Sequence, residues 1–183
     1  SIRFDQIGTG DSPVDFQNVS INTSINDCKA VYDYIANRDD ITSIAILGWS
    51  QGACIALQYI ANNPNIKGMI SYSGLVDGKL MSVQEEYEIA KKEGFLPIEP
   101  GFLHPVKRGL GWYEDLLTIP YWDNFKKITQ PIIAIAGKKD DVVPCEVSVE
   151  MIKEAPNEAS KLILLDNCDH CFNLLQGETE IFE

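Results

Sequence analysis

Basic residues are scarce in this chain: 15 Lys and Arg stand against 27 Asp and Glu, a formal charge of −12 over 183 residues. Nucleic acid is gripped by clustered cations that displace its counterions, so this acidic balance excludes it as a partner. Long apolar runs are lacking as well. No stretch approaches the roughly 20 residues needed to span a bilayer, and no membrane partner is expected. Hydrophobic residues make up 45% and charged residues 23%, which excludes the composition of disordered chains. Repeats and low-complexity segments are also absent. What remains is a single globular domain, residues 1–183, long enough to bury a core without disulfide or metal staples.

Cysteine is present in an odd number, Cys28, Cys54, Cys145, Cys168 and Cys171, without the spacing of a disulfide framework. That predicts reduced thiols and, from them, a cytoplasmic location. The run Cys168-Asp169-His170-Cys171 has metal-ligating residue types, but a structural zinc wants a second ligand pair, and none is spaced for it. No metal and no cofactor are therefore expected, and these cysteines are read as ordinary thiols.

Strand-like runs at 2–4, 44–47, 69–72, 132–136 and 162–165 alternate with helical ones. Short, nearly continuous apolar strands predict a mostly parallel sheet covered on both faces, an α/β three-layer sandwich. Ile25, Cys28, Tyr32 and Ile35 recur at helical spacing between the first two strands. After residue 50 a helix apolar nearly all round is predicted up to Asn63-Pro64-Asn65. Another runs over 145–154, stopped by Ala155-Pro156-Asn157. Residues 75–129 break the rhythm with Pro97, Pro100, Pro105 and Pro120, short helices being predicted at 83–92 and around 112–117. An insertion of this size reads as a lid. Its aromatics, Phe95, Phe102, Trp112, Tyr113, Tyr121 and Trp122, either line a substrate pocket or form a small core of their own.

Gly48-Trp49-Ser50-Gln51-Gly52 follows a strand directly and opens a helix at once, the context in which G-x-S-x-G makes a sharp turn with an exposed serine. Glycines 48 and 52 are expected to let the backbone pass close to strand and helix. The amide of Gln51, at the helix N-terminus, is placed to donate to an oxyanion. A serine hydroxyl needs a base to take its proton. His170, in a loop just after the last strand, is the main candidate, and His104, in the insertion, is the weaker one. The imidazole in turn needs an acid. Asp140 and Asp141 compete for this role in Gly137-Lys138-Lys139-Asp140-Asp141-Val142-Val143-Pro144, with Asp169 a third choice awkwardly adjacent to His170.

These motifs resemble those of the α/β-hydrolases, and within them the small esterases that cleave feruloyl and other cinnamoyl esters. Arg3-Phe4-Asp5 with Gly8-Thr9-Gly10-Asp11-Ser12 is similar to the family's early strand and loop, and Asp169-His170-Cys171-Phe172 to its histidine loop. The resemblance implies the triad Ser50, Asp140 and His170, selecting Asp140 because it lies three residues after the glycine. It also implies that 75–129 is the inserted lid, with Trp49, Trp112, Tyr113 and Trp122 as substrate-binding residues. In the family a further strand lies between those matching 2–4 and 44–47, and it ends in a loop donating a second oxyanion-hole amide. Neither is found in these residues, so a preceding segment or another copy of the chain is expected to complete the sheet. The reaction expected is hydrolysis of a small-molecule carboxylic ester through an acyl-enzyme. The alternatives are a peptidase or thioesterase using the same triad and, in a different class, a catalytically impaired binding protein on the same fold.

Overall fold

The computed structural model describes residues 1–81, 83–99 and 105–176. Its elements, in chain order, are α1 (Ile21–Ala36), β1 (Ile46–Trp49), α2 (Gln51–Ile60), β2 (Met69–Tyr72), α3 (Gln84–Glu93), β3 (Phe95–Ile98), β4 (Val106–Gly109), α4 (Leu110–Thr118), α5 (Tyr121–Phe125), β5 (Ile132–Gly137), α6 (Cys145–Lys153) and β6 (Lys161–Leu165), with short 3-10 turns at Phe16–Asn18, Gly78–Leu80 and Leu174–Gln176. The chain divides into two compact units. One comprises Ser1–Arg38 and Gly78–Pro120, the other Asp39–Asp77 and Tyr121–Glu183, so most of the expected lid falls in the first unit and its two ends in the second.

The second unit is built on a parallel sheet of order β1-β2-β5-β6. Its runs are short and apolar because strands in such a sheet lose water from both sides. The register aligns Gly48 with Ser71, Ser71 with Ala134, and Ala134 with Leu162. Helix α2 lies against β1 and β2 on the face that this row occupies. Met69, Ser71, Ile132 and Ala134 are buried there, together with every α2 residue from 53 to 60. Burial of side chains as large as Ile55, Leu57 and Ile60 contributes roughly 1.5–3 kcal/mol each before entropy is counted. The opposite face is only partly covered among the described residues: Leu47 is 57% exposed, Trp49 48% and Ile163 44%.

In the first unit α1 begins with a reciprocal cap, the Thr23 amide donating to Ser20 Oγ and the Ser20 amide to Thr23 Oγ1, which satisfies two helix-end donors at once. Asp115 of α4 accepts from the amide and side chain of Asn22. The core of this unit contains Ile21, Ala90, Trp112, Tyr113 and Leu116.

Three sequence expectations need correction. Residues 2–4 form no strand; Ile2 and Phe4 stay largely exposed, and an extended segment without a hydrogen-bonded neighbour is not a strand. The first strand of the sheet lies at Ile46–Trp49 rather than 44–47, because pairing with β2 continues right up to the turn at Ser50. Residues 95–98 and 106–109 pair as an antiparallel ribbon that was not anticipated. Its Pro97 argues against a central strand, but in a two-stranded ribbon each strand keeps a free edge where a missing N–H does no harm. Pro100, Phe102 and His104, singled out in the sequence, lie outside the described residues. Among the described residues no helix is long and apolar enough to cross a membrane, and no disulfide joins any of the five cysteines.

Candidate active site

The turn between β1 and α2 forces Ser50 to φ 54° and ψ −125°, backbone angles that cost a non-glycine residue about 1–3 kcal/mol. The conformation is held from outside. Ser50 N–H donates to the carbonyl of Tyr72 at the end of β2, at 2.9 Å. Gly48 is required sterically: a Cβ there would sit 2.5 Å from both Ala53 Cα and the Gly52 carbonyl. Gly52 differs from expectation, since a Cβ would meet nothing within 4 Å; the close approach is made by one glycine of the pair. Gln51 opens α2, so its N–H belongs to the first turn, whose amides have no intrahelical partner.

Asp140 follows the end of β5, and His170 lies beyond the end of β6. Adjacent strands bring their loops together. A Cβ on Gly137 would lie 2.1 Å from the Cys168 carbonyl, so only glycine lets the two loops approach this closely, and Lys139 N–H donates to that carbonyl at 2.9 Å. The Asp140 side chain is wholly buried and that of His170 is 13% exposed. Asp140 Oδ1 accepts from the amides of Val142 and Val143 at 3.0 and 2.8 Å. Its two oxygens lie 3.1 and 2.9 Å from His170 Nδ1. A carboxylate can only accept here, so the ring hydrogen lies on Nδ1 and Nε2 is left to accept from Ser50 Oγ, 3.0 Å away. Asp141 is exposed. Asp169 is used by its own loop, where Oδ1 accepts from the amides of Cys171 and Asn173.

The remaining residues singled out in the sequence separate into groups. Trp49 donates from Nε1 to the His170 carbonyl at 3.0 Å. Its ring centroid lies 5.5 Å from that of the imidazole, with planes at 35°. Trp122 packs edge-on against Phe125. Trp112 and Tyr113 lie in the other compact unit, where they are 3% and 0% exposed and form part of its core. Arg108 stacks on Trp112 at 4.2 Å, and both Tyr113 and Arg108 engage Glu86. Burial, and after it the hydrogen bond to Glu86, pushes the Tyr113 phenol up to about 12.

Sequence reasoning missed the Val142 and Val143 amides that capture Asp140. An aspartate two and three residues ahead of free amides in a turn closed by Pro144 was the available signal. It also missed Ser73, buried with φ 41° beside the elbow, for which the sequence offers no cue. Desolvation, then Asp169 and Asp140, raise the thiol of Cys171, the neighbour of His170, above the usual range, which disfavours its thiolate.

The arrangement can move a proton from a hydroxyl to an imidazole whose other nitrogen is fixed by a buried acid, beside a helix N-terminus able to receive negative charge. Comparison with known proteins gives the same fold. The chain is similar to Est1E from Butyrivibrio proteoclasticus with ferulic acid bound, at 24% identity and a TM-score of 0.72 over 92% of this chain and 68% of that one. It is similar to an esterase from Exiguobacterium antarcticum, at 20% and 0.67 over 97% and 77%. A monoacylglycerol lipase from Paleococcus ferrophilus matches at 16% and 0.70 over 91% and 73%. No curated protein sequence matches the chain. The family model described as serine aminopeptidase, S33, matches residues 1–95, which take in the turn at Ser50. With more than half of its 183 residues matched in this way, the chain belongs to that family of α/β-hydrolases.

Proposed function

We propose that the chain hydrolyses carboxylic esters through a covalent acyl-enzyme. The observation that carries this reading is the unbroken sequence of hydrogen-bonding atoms from Ser50 Oγ through His170 to Asp140. His170 Nε2 takes the hydroxyl proton as Ser50 Oγ bonds to the ester carbonyl carbon, and the Gln51 amide receives the oxyanion. The carbonyl re-forms as the alcohol oxygen leaves with the proton from Nε2. Water then enters, loses a proton to the same nitrogen and attacks the acyl carbon; Ser50 Oγ departs with that proton. Asp140 holds the tautomer and stabilises the imidazolium throughout. No cofactor takes part.

The substrate class proposed is a small aryl or acyl ester, cinnamoyl esters included. The fold likeness to a protein holding ferulic acid supports it. Amide hydrolysis is the second reading, favoured by the description of the matching family. Rates on p-nitrophenyl acetate, methyl ferulate, an aminoacyl anilide and an acyl thioester separate the two. The mechanism itself is tested with a fluorophosphonate. Wild type is expected to be labelled on Ser50, and Ser50→Ala to lose labelling by at least about a thousandfold; labelling that persists in Ser50→Ala overturns the assignment.

A further inference from the structure

The His170 loop is costly to hold in place. Phe172 and Asn173 have φ of 55° and 56°, left-handed conformations that a bulky side chain adopts only when its surroundings over-determine them. Inside the loop Asp169 and Asn173 exchange hydrogen bonds, and on the acid side the Lys139 amide holds the Cys168 carbonyl. Those contacts fix the loop to itself and to the acid. Phe172 also packs edge-on against Tyr72 of β2, at 5.2 Å, but none of these hydrogen bonds reaches β1, which leads into Ser50 and is two strands removed from β5 in the sheet.

Trp49 makes that connection. Its indole N–H reaches the carbonyl of His170, while its ring lies against the imidazole. A closed circuit results: Ser50 is covalently next to Trp49, the indole bonds the His170 backbone, and the His170 ring returns to Ser50 Oγ. We propose that Trp49 is a positioning residue for the base, setting the separation of Nε2 from Oγ by tying the histidine loop to the strand that carries the nucleophile. This inference rests on the esterase reading for its kinetic consequence. It assigns to Trp49 an action through His170 rather than through substrate. The hydrogen bond is made to the backbone carbonyl, so it holds the loop and leaves Nδ1 and Nε2 to Asp140 and Ser50. A bond of this kind has a modest net effect on stability, but a misplaced base slows every turnover.

Two variants test it. Trp49→Phe keeps an aromatic ring and loses the donor; Trp49→Ala loses both. Trp49 is about half exposed, so the Phe variant is expected to melt within about 2 °C of wild type. With p-nitrophenyl acetate, Trp49→Phe is expected to lower kcat about tenfold with KM unchanged, and Trp49→Ala to lower it further, about threefold. A readout independent of turnover is the deshielded proton of the bond between His170 Nδ1 and Asp140 in the proton NMR spectrum. It is expected to be sharp in wild type and broadened by exchange with water in Trp49→Phe. A rise in KM with kcat unchanged would mean that Trp49 contacts substrate and would overturn the proposal, as would an unaltered kcat or an equally sharp resonance in Trp49→Phe. If wild type is neither labelled by fluorophosphonate nor active, the esterase reading has failed, and the resonance alone decides whether the tether exists.

Discussion

The two compact units turn their chains by different means. Among the described residues of the unit holding Gly78–Pro120, positive φ angles fall on glycine alone, at Gly8, Gly10 and Gly94; among those of the unit holding Tyr121–Glu183 they fall on Ser50, Ser73, Phe172 and Asn173. Glycine makes a left-handed turn at little steric cost, whereas a side-chain-bearing residue does so under strain. Two of these four residues lie in the histidine loop, one is Ser50, the proposed nucleophile, and the fourth immediately follows Tyr72, whose carbonyl holds the amide of Ser50. Among the described residues, strain of this kind is concentrated where proton transfer is proposed, and the other unit turns on glycine.

The comparison is sharpened most by Asp140→Asn. Val142 and Val143 would still donate to the side-chain oxygen, leaving the amide nitrogen to face His170 Nδ1 and forcing the ring hydrogen onto Nε2, where Ser50 can no longer donate. The fluorophosphonate reaction is expected to slow by roughly 10³–10⁴ with the fold intact by circular dichroism. Gly48→Ala comes next. Its Cβ collides with backbone rather than with a mobile side chain, and a loss of about 3 kcal/mol, read by urea titration, is expected. Gly52→Ala, with open space around its Cβ, should change stability by less than about 0.5 kcal/mol. Gly94→Ala puts a side chain at φ 83° in open space, at an expected cost of about 1 kcal/mol, with labelling per folded molecule unchanged. A fall in labelling there would break the contrast between the units.

An effect comparable in size to that of Gly94→Ala concerns Tyr113. Its phenol pKa is raised from 10.0 to about 12 in the folded chain, so the folded state holds this proton more tightly than the unfolded state does. The resulting stabilisation is complete below pH 10 and is lost as pH rises through about 12. Tyr113→Phe is expected to cost about 1 kcal/mol at neutral pH and to flatten this alkaline loss in melts taken between pH 9 and 12.

Strand β2 was legible in the sequence to the residue, because Met69 to Tyr72 is a short, mostly apolar run between Gly68 and Ser73-Gly74. Local patterning also placed α3, α4 and α6 within two residues of their observed limits. It failed at residues 2–4, where the alternation Ile2-Arg3-Phe4 looks like a strand whether or not a partner is present. The elbow was readable because its chemistry is compressed into five consecutive residues. The tie between Trp49 and His170 spans 121 positions and depends on strand order, which neither composition nor periodicity encodes. Asp140 could not be separated from Asp141 by spacing alone; what separates them is that one carboxylate is surrounded by amides and an imidazole and the other faces water.

Strand β1 pairs on one side only among the described residues, and along its exposed face stand Leu47 and Trp49, with neither lysine nor proline from Ile46 to Trp49 to discourage contact. Colloidal behaviour follows from setting that edge against the charge of −12. At low ionic strength mutual repulsion keeps molecules apart. Salt that screens it over less than about 10 Å leaves the adhesive edge unopposed. Self-association of this chain should therefore grow as salt is added, the reverse of what an ion-paired contact would do.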